Sequence, residues 1–380
     1  MPERLARYKT MLGLLDDEGR RRGLAPQRGI DFTSNDYLGL AGSPRLRAAL
    51  VAALERGVPV GAGGSRLLRG NHPEHEALEA EAAAFFGSER MLYFGSGYAA
   101  NAALFATLPQ RGDIVVHDAL VHASAHAGMA AGRAEAVAVP HNDVGAFDNA
   151  IRTWRKAGGM GHPWIAVESL YSMDGDKAPL PVLAELADRH EGFLVVDEAH
   201  ATGVQGPDGR GLAADIEGRD NVVVLHTCGK ALGTSGALIG GSRMLCDFLV
   251  NRARPFIYAT APSPLMAAAV RAALRVLAEE PERREKLHHL VRFAHAALAE
   301  RLGIAGSASH IVPIIVGDNR RAVRIAERMQ GAGFDIRAIR PPTVPAGTAR
   351  LRIALTLNVD PPTVAGMLDR LAEALAQETP

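Results

Sequence analysis

Short aliphatic runs recur at residues 91–94, 114–117, 136–139, 165–168, 193–196 and 222–225, with turn residues after each and helical stretches in several of the links. Runs this short that stay apolar throughout, instead of alternating with polar residues, are the pattern of strands buried on both faces. Their alternation with helices near 143–156 and 181–190 predicts an α/β fold built on a mainly parallel sheet. A further strand is expected over 235–240. Beyond it the pattern changes to helices over 262–277 and 282–302, then strand 311–316, helix 318–330, strands 334–339 and 349–357, and helix 361–376. That is a smaller α+β portion. The domain boundary is placed near 280, with residues 46–280 as the large domain, 281–380 as the small one, and 1–45 packing with the small domain. Within 1–45, Leu5, Tyr8, Leu12 and Leu15 give a helical spacing over 4–22, ending in Arg20-Arg21-Arg22. A second helix is predicted over Pro44–Glu55, with Ser43 as N-cap and Pro44 at its first position.

The two runs that carry chemistry are 193–196 and 222–225. The first ends on Asp197-Glu198-Ala199-His200, the second on His226-Thr227-Cys228-Gly229-Lys230. Ligands of open α/β sheets bind at the carboxyl ends of the strands, so the topology brings a carboxylate, an imidazole and an amine to one edge. That set suits pyridoxal 5'-phosphate. Lys230 forms the imine with the cofactor, Asp197 keeps the ring nitrogen protonated, and His200 hydrogen-bonds the ring's phenolic oxygen. Asp-Glu-Ala-His after a strand also matches the magnesium box of an ATPase. That reading requires a G-x-x-x-x-G-K-[ST] loop upstream, whereas the chain's Gly-Lys pair, Gly229-Lys230, lies downstream and is followed by Ala231.

Gly95-Ser96-Gly97-Tyr98-Ala99-Ala100 follows a strand and opens a helix, where free N–H groups and the helix dipole favour an anion. The loop also fits the dinucleotide pattern G-x-G-x-x-[GA], with Asp118 at a distance suited to a ribose, so a nicotinamide enzyme is an alternative at this point. Asp197, His200 and Lys230 fill no set of dinucleotide roles, whereas one phosphate cradle plus those three residues is what pyridoxal phosphate needs. His122 and His126 stand four apart on a predicted helix, a spacing that suits two metal ligands, but no third ligand completes a site locally. No metal is expected.

The 42 basic and 42 acidic residues cancel without a block of like charge, which implies neither nucleic acid nor an anionic membrane as partner. No apolar run reaches the length of a membrane span, and residues 1–22 lack the apolar core of a secretion signal. Two cysteines, Cys228 and Cys246, suit a reducing compartment. A cytoplasmic location is expected.

The motifs Asn35-Asp36-Tyr37-Leu38-Gly39-Leu40, Gly97-Tyr98-Ala99-Ala100-Asn101, His122-Ala123-Ser124, Ser172-Met173-Asp174-Gly175-Asp176, Asp197-Glu198-Ala199-His200 and Thr227-Cys228-Gly229-Lys230 occur in one order along nearly the whole chain. In this the sequence resembles the α-oxoamine synthases, pyridoxal phosphate enzymes of fold type I, the aspartate aminotransferase fold. The stretch 340–352 resembles the branch that condenses L-alanine with a pimeloyl thioester, carried by coenzyme A or a carrier protein, on the route to biotin. The resemblance implies that Lys230 also moves the proton of alanine, that His122 stacks on the cofactor ring, and that Gly97, Tyr98, Ser172 and Thr227 surround it. It further implies a homodimer with shared sites, in which Thr260 reaches the neighbouring subunit's cofactor phosphate. Arg352 would hold the amino-acid carboxylate, and Asn35, Thr343 and Arg20 would meet substrate.

Overall fold

The computed structural model describes residues 3–306 and 308–378. The chain divides into two compact units. The larger comprises Leu38–Ser172 and Asp176–Arg284; the other takes the residues through Tyr37, Met173–Gly175 and those from Glu285 onward. The strands are, in chain order, β1 (Ile30–Asp31), β2 (Arg90–Phe94), β3 (Ile114–Asp118), β4 (Glu135–Val139), β5 (Pro163–Glu168) and β6 (Phe193–Asp197). They continue with β7 (Val222–Thr227), β8 (Ala237–Gly241), β9 (Ile311–Gly317), β10 (Phe334–Asp335), β11 (Ala338–Ile339) and β12 (Ala349–Ala354).

The larger unit is built on a seven-stranded sheet in the order β2-β8-β7-β6-β5-β3-β4. Its centre, β7-β6-β5-β3-β4, is parallel, and β8 runs antiparallel to both its neighbours. In the inner strands the uninterrupted aliphatic runs follow from burial on both faces, with side chains alternating between them. The run at 136–139, expected to be buried as well, is the edge strand β4, where of the five residues only Val139 is buried. Val195 and Val223 enter one apolar cluster with Leu104 and Phe105. Their neighbours Leu194, Val196, Val222 and Val224 enter another with Phe147, Ile151 and Leu183. Charged or polar residues therefore appear only where the strands run out, which is where Asp197 and the turn carrying Lys230 lie.

In the other unit β11-β12-β9 form an antiparallel sheet, and β1 pairs with β10 in parallel. Two sequence-based expectations are corrected here. The strand predicted over 334–339 is two strands in two sheets, separated by a turn at the fully buried Ile336, whose N–H donates to the carbonyl of Phe334 at 3.0 Å. The helix predicted over 4–22 is α1 (Ala6–Asp17), preceded by a 3-10 turn. It stops because Gly19 turns left-handed at φ 63° and the N–H of Arg20 returns to the carbonyl of Leu15 at 2.7 Å. Arg20, Arg21 and Arg22 thus lie past the helix end. The helix α2 (Pro44–Glu55) matches its predicted bounds, with Ser43 accepting the N–H of Arg45. The helices α3 (Pro73–Phe86), α4 (Gly97–Thr107) and α5 (Ala123–Ala131) follow.

Candidate active site

All the residues that gather at the carboxyl edge of β5, β6 and β7 belong to the larger unit. After β7 the chain closes a tight loop, with Cys228 N–H donating to the carbonyl of Gly236 at 2.9 Å and Gly233 N–H to that of Lys230 at 2.9 Å. Gly233 has φ 63°, and a Cβ there would come within 2.4 Å of Ala41 N. The loop fixes Lys230, whose Nζ lies 2.7 Å from Nε2 of His200. His200 stands on the turn after β6, where Ala201 N–H and Thr202 N–H donate to the carbonyl of Glu198 at 3.0 and 2.9 Å.

Asp197 ends β6 with both carboxylate oxygens engaged. Oδ1 accepts the N–H of Ala199 at 2.9 Å and Oδ2 accepts Nδ2 of Asn101 at 2.7 Å. The same Nδ2 lies 3.0 Å from Oγ of Ser124, and that Oγ is 2.7 Å from Nδ1 of His122. A chain of polar contacts thus runs from Asp197 through Asn101 and Ser124 to His122. His122 is not inside α5 as predicted but is its N-cap, accepting the N–H of Ser124 on Nδ1 at 3.2 Å. An Nδ1 that accepts leaves the ring proton on Nε2. Burial holds the His122 pKa below the ordinary value, against the pull of Asp197 and with the push of Lys230. His126 instead packs edge-on against His117, ring centroids 4.9 Å apart, so the two histidines do not share a ligand face. Among the described residues no group of three or more His, Cys, Asp or Glu has the arrangement of a metal site.

The glycine loop forms the opposite wall. Ser96 caps α4 by accepting the N–H of Ala99 at 3.1 Å, which leaves the first N–H groups of the helix facing outward. A Cβ at Gly97 would stand 2.8 Å from Cγ2 of Thr227, so the loop backbone approaches Thr227 more closely than any side chain permits. Thr227 Oγ1 is itself tied to the carbonyl of Ala199 at 3.2 Å. The cavity enclosed is about 360 Å³, and Gly97, Tyr98, His122, Asp197, His200 and Lys230 are among its lining. Amine, imidazole and carboxylate face an N–H cradle in a space of the size small ligands take.

Glu168, the last residue of β5, sits directly beside Asp197 in register and also lines the cavity. Its Oε2 accepts the N–H of Ser172 at 3.1 Å, while Oε1 is buried without a hydrogen-bond partner, as is Oδ1 of Asn101. Buried polar atoms left open beside a cavity are what a polar ligand would complete. Pyridoxal phosphate fits: an anion cradle at Gly97 and Tyr98, a carboxylate at Asp197, an amine at Lys230 and a flat imidazole at His122. The nicotinamide alternative does not, because Asp118 is fully buried and its carboxylate is taken by His141 Nδ1 at 2.9 Å and by the N–H groups of Asn142 and Leu120.

Burial, reinforced by Asp197, pushes Glu168 up to about 8, against the pull of Lys230, and burial pushes Glu198 up to about 7. A carboxyl whose pKa rises on folding stabilises the fold fully below its unfolded value and loses that contribution as pH passes through the folded value. The melting temperature of the cofactor-free protein is therefore expected to fall as pH rises from the ordinary carboxyl value of 4.5 to about 7 to 8, and to lose this slope above that. Glu168→Gln should flatten the upper part of that decline. An unchanged slope in a folded Glu168→Gln protein would mean that Glu168 does not titrate there.

The remaining predicted residues lie elsewhere. Ser172 is in the turn after β5, reaching the site through its N–H to Glu168. Thr260 is exposed and does not line the cavity of its own chain. Arg20, Asn35, Thr343 and Arg352 are in the other unit. There Arg20 pairs with Glu18 at 2.6 Å and donates to the carbonyl of Pro341 at 3.2 Å, while Thr343 accepts Nη2 of Arg22 at 3.1 Å. Arg352, on β12, is buried.

The family model for aminotransferase class I and II matches residues 27–371. The chain is 45% identical over 385 residues to an 8-amino-7-oxononanoate synthase of Anaeromyxobacter dehalogenans, covering 97% of this chain and 95% of that one. It is 44% identical to the enzyme of the same name from Chromobacterium violaceum, over 90% of this chain and 88% of the relative. Among solved structures, serine palmitoyltransferase from S. paucimobilis with a bound PLP–myriocin aldimine superposes with TM-score 0.88 at 27% identity, covering 99% and 98% of the two chains. The 8-amino-7-oxononanoate synthase of Francisella tularensis gives TM-score 0.77 at 26% identity, over 92% and 98%. With its cavity chemistry, its sheet order and relatives along nearly its whole length in agreement, this chain belongs to the class I and II aminotransferase family, beside the 8-amino-7-oxononanoate synthases.

Proposed function

We infer that this chain condenses L-alanine with a pimeloyl thioester, releasing carbon dioxide and the free thiol and giving 8-amino-7-oxononanoate, a step of biotin synthesis. The carrying observation is the convergence of Lys230, His200 and Asp197 with the Gly97 cradle in one cavity, in a chain whose curated relatives at 44–45% identity bear that name. Pyridoxal phosphate, when bound, supplies the electron sink that makes the α-carbon of alanine acidic.

The chain's own residues do the rest. Asp197, oriented by Asn101 and Ala199, presents a carboxylate to the ring nitrogen. Gly97 and Tyr98 offer N–H groups at a helix start to the phosphate, and Thr227 closes that wall. Lys230 takes the α-proton, with His200 beside its Nζ as hydrogen-bond partner. The new C–C bond joins the α-carbon to the thioester carbonyl carbon, and the C–S bond breaks with the electron pair leaving on sulfur, which takes a proton from solvent. The alanine carboxylate then departs as carbon dioxide, leaving its electron pair on the α-carbon, which takes back a proton from Lys230. Arg352 and Asn35 hold that carboxylate until then, and Arg20 and Thr343 meet the acyl substrate.

The working form is proposed to be a homodimer in which Thr260 serves the neighbouring site. Helix α1 supports this, since none of its residues is buried and Tyr8, Met11 and Leu14 are more than half exposed. A cytoplasmic setting is supported by two free, buried cysteines. Among the described residues no helix is long and apolar enough to cross a membrane.

The test is to supply the purified, cofactor-loaded protein with pimeloyl-CoA and L-alanine, glycine or L-serine, measuring thiol release and product mass. Product with L-alanine is expected. Product formed only with glycine or serine would move the chain to another α-oxoamine synthase, and thiol release with none of them would overturn the reading.

A further inference from the structure

Arg352 and Asn35 are joined by a third residue to which the sequence motifs assign no role. Tyr37 is fully buried, its ring edge-on to His310 with centroids 4.1 Å apart. Its backbone is fixed at both ends, the N–H donating to the carbonyl of Asn35 at 2.8 Å and the carbonyl accepting the N–H of Leu357 at 3.0 Å. The phenol has little freedom. Its Oη donates to Oδ1 of Asn35 at 2.9 Å and accepts from Nη2 of Arg352 at 3.4 Å.

The direction of these bonds matters. An Asn side chain whose oxygen is engaged has only its amide N–H groups left to offer, and a guanidinium has nothing but N–H groups. The hydroxyl therefore fixes the Asn35 amide with its donors free, while anchoring one corner of the Arg352 fork. Two donor groups held this way suit a carboxylate, which accepts only. Burial pushes the Tyr37 hydroxyl up from its ordinary value, so it acts as a neutral donor and acceptor.

We propose that Tyr37 is a positioning residue for the amino-acid carboxylate, acting through Asn35 and Arg352. This rests on the reading of those two residues given above. Tyr37→Phe removes the hydroxyl and keeps the ring against His310. Loss of one hydrogen bond predicts a KM for L-alanine raised by up to about tenfold. The kcat at saturating alanine and the KM for pimeloyl-CoA should hold, as should the melting temperature to within a few degrees.

A purely structural role would lower stability or kcat without this split. The effect should also shrink in an Asn35→Ala background, where only the Arg352 contact remains for Tyr37 to act through, a coupling that additive damage does not produce. Arg352→Ala, expected to raise the alanine KM more than Tyr37→Phe does, separates the two levels of the argument. If Arg352→Ala raises that KM and Tyr37→Phe leaves it unchanged, the proposal is overturned and the carboxylate site stands. If Arg352→Ala leaves it unchanged, the carboxylate site lies elsewhere and the proposal falls with it. Should Tyr37→Phe fold poorly, Asn35→Asp keeps the acceptor for the Tyr37 hydroxyl and replaces the donors with an anion. It should raise the alanine KM, and an unchanged KM in that variant would also overturn the proposal.

Discussion

A Lys230→Ala protein is expected to fold normally and to turn over at least about a thousandfold more slowly than the wild type. The loop that presents Lys230 is held by backbone bonds between Cys228, Lys230, Gly233, Thr234 and Gly236, none of which uses the lysine side chain. Removing the amine therefore takes away chemistry and leaves architecture. Two functions go together: the covalent hold on the cofactor and the base at the α-carbon. Borohydride reduction followed by peptide mass analysis reports the first of them, because it should fix the cofactor's mass on Lys230 in the wild type and nowhere in the variant. Circular dichroism and thermal melting report the fold. A folded Lys230→Ala protein with near-normal turnover would remove the lysine from the mechanism.

Lys230 and Asp197 were legible in the sequence because each follows an aliphatic run that can only be a buried strand. A polar residue where such a run ends has to emerge at the sheet edge. His200 was legible for the same reason, since only a turn separates it from β6. Asn101 and Ser124 were not legible as site residues, although both stand in quoted motifs. One lies a turn inside α4 and the other opens α5, and their link to Asp197 and His122 depends on how those helices meet. Periodicity does not encode that. Glu168 carried a usable signal that went unread: like Asp197, it is a carboxylate ending an aliphatic run, and the two are register partners. The helix expected to contain His122 and His126 starts one residue later, because His122 is its cap, a role its imidazole fills in place of the usual Ser, Thr, Asp or Asn. The pairing of β1 with β10 joins residues some 300 positions apart and rests on two residues in each strand, too short a pattern to read.

Asp197→Asn is expected to lower turnover at saturating cofactor by at least about a hundredfold, the scale seen when a group that stabilises developing charge is removed. The side chains are nearly the same size, so the change tests charge more than volume. In the native site two N–H donors, from Ala199 and from Asn101, point at the two carboxylate oxygens. An asparagine keeps one acceptor and turns an NH2 group toward one of those donors. It also loses the negative charge that holds a proton on the ring nitrogen, and without that proton the ring is a poor electron sink. Asn101→Ala distinguishes these effects, because it removes a hydrogen bond to the same oxygen and leaves the charge in place. That variant should lose only a few-fold, in line with a single hydrogen bond. If the two variants lost turnover equally, orientation of the side chain would account for the whole effect and the charge for none of it. A cofactor affinity only modestly weakened in Asp197→Asn, beside a large loss of turnover, is the pattern that places its carboxylate in the reaction and not merely in binding.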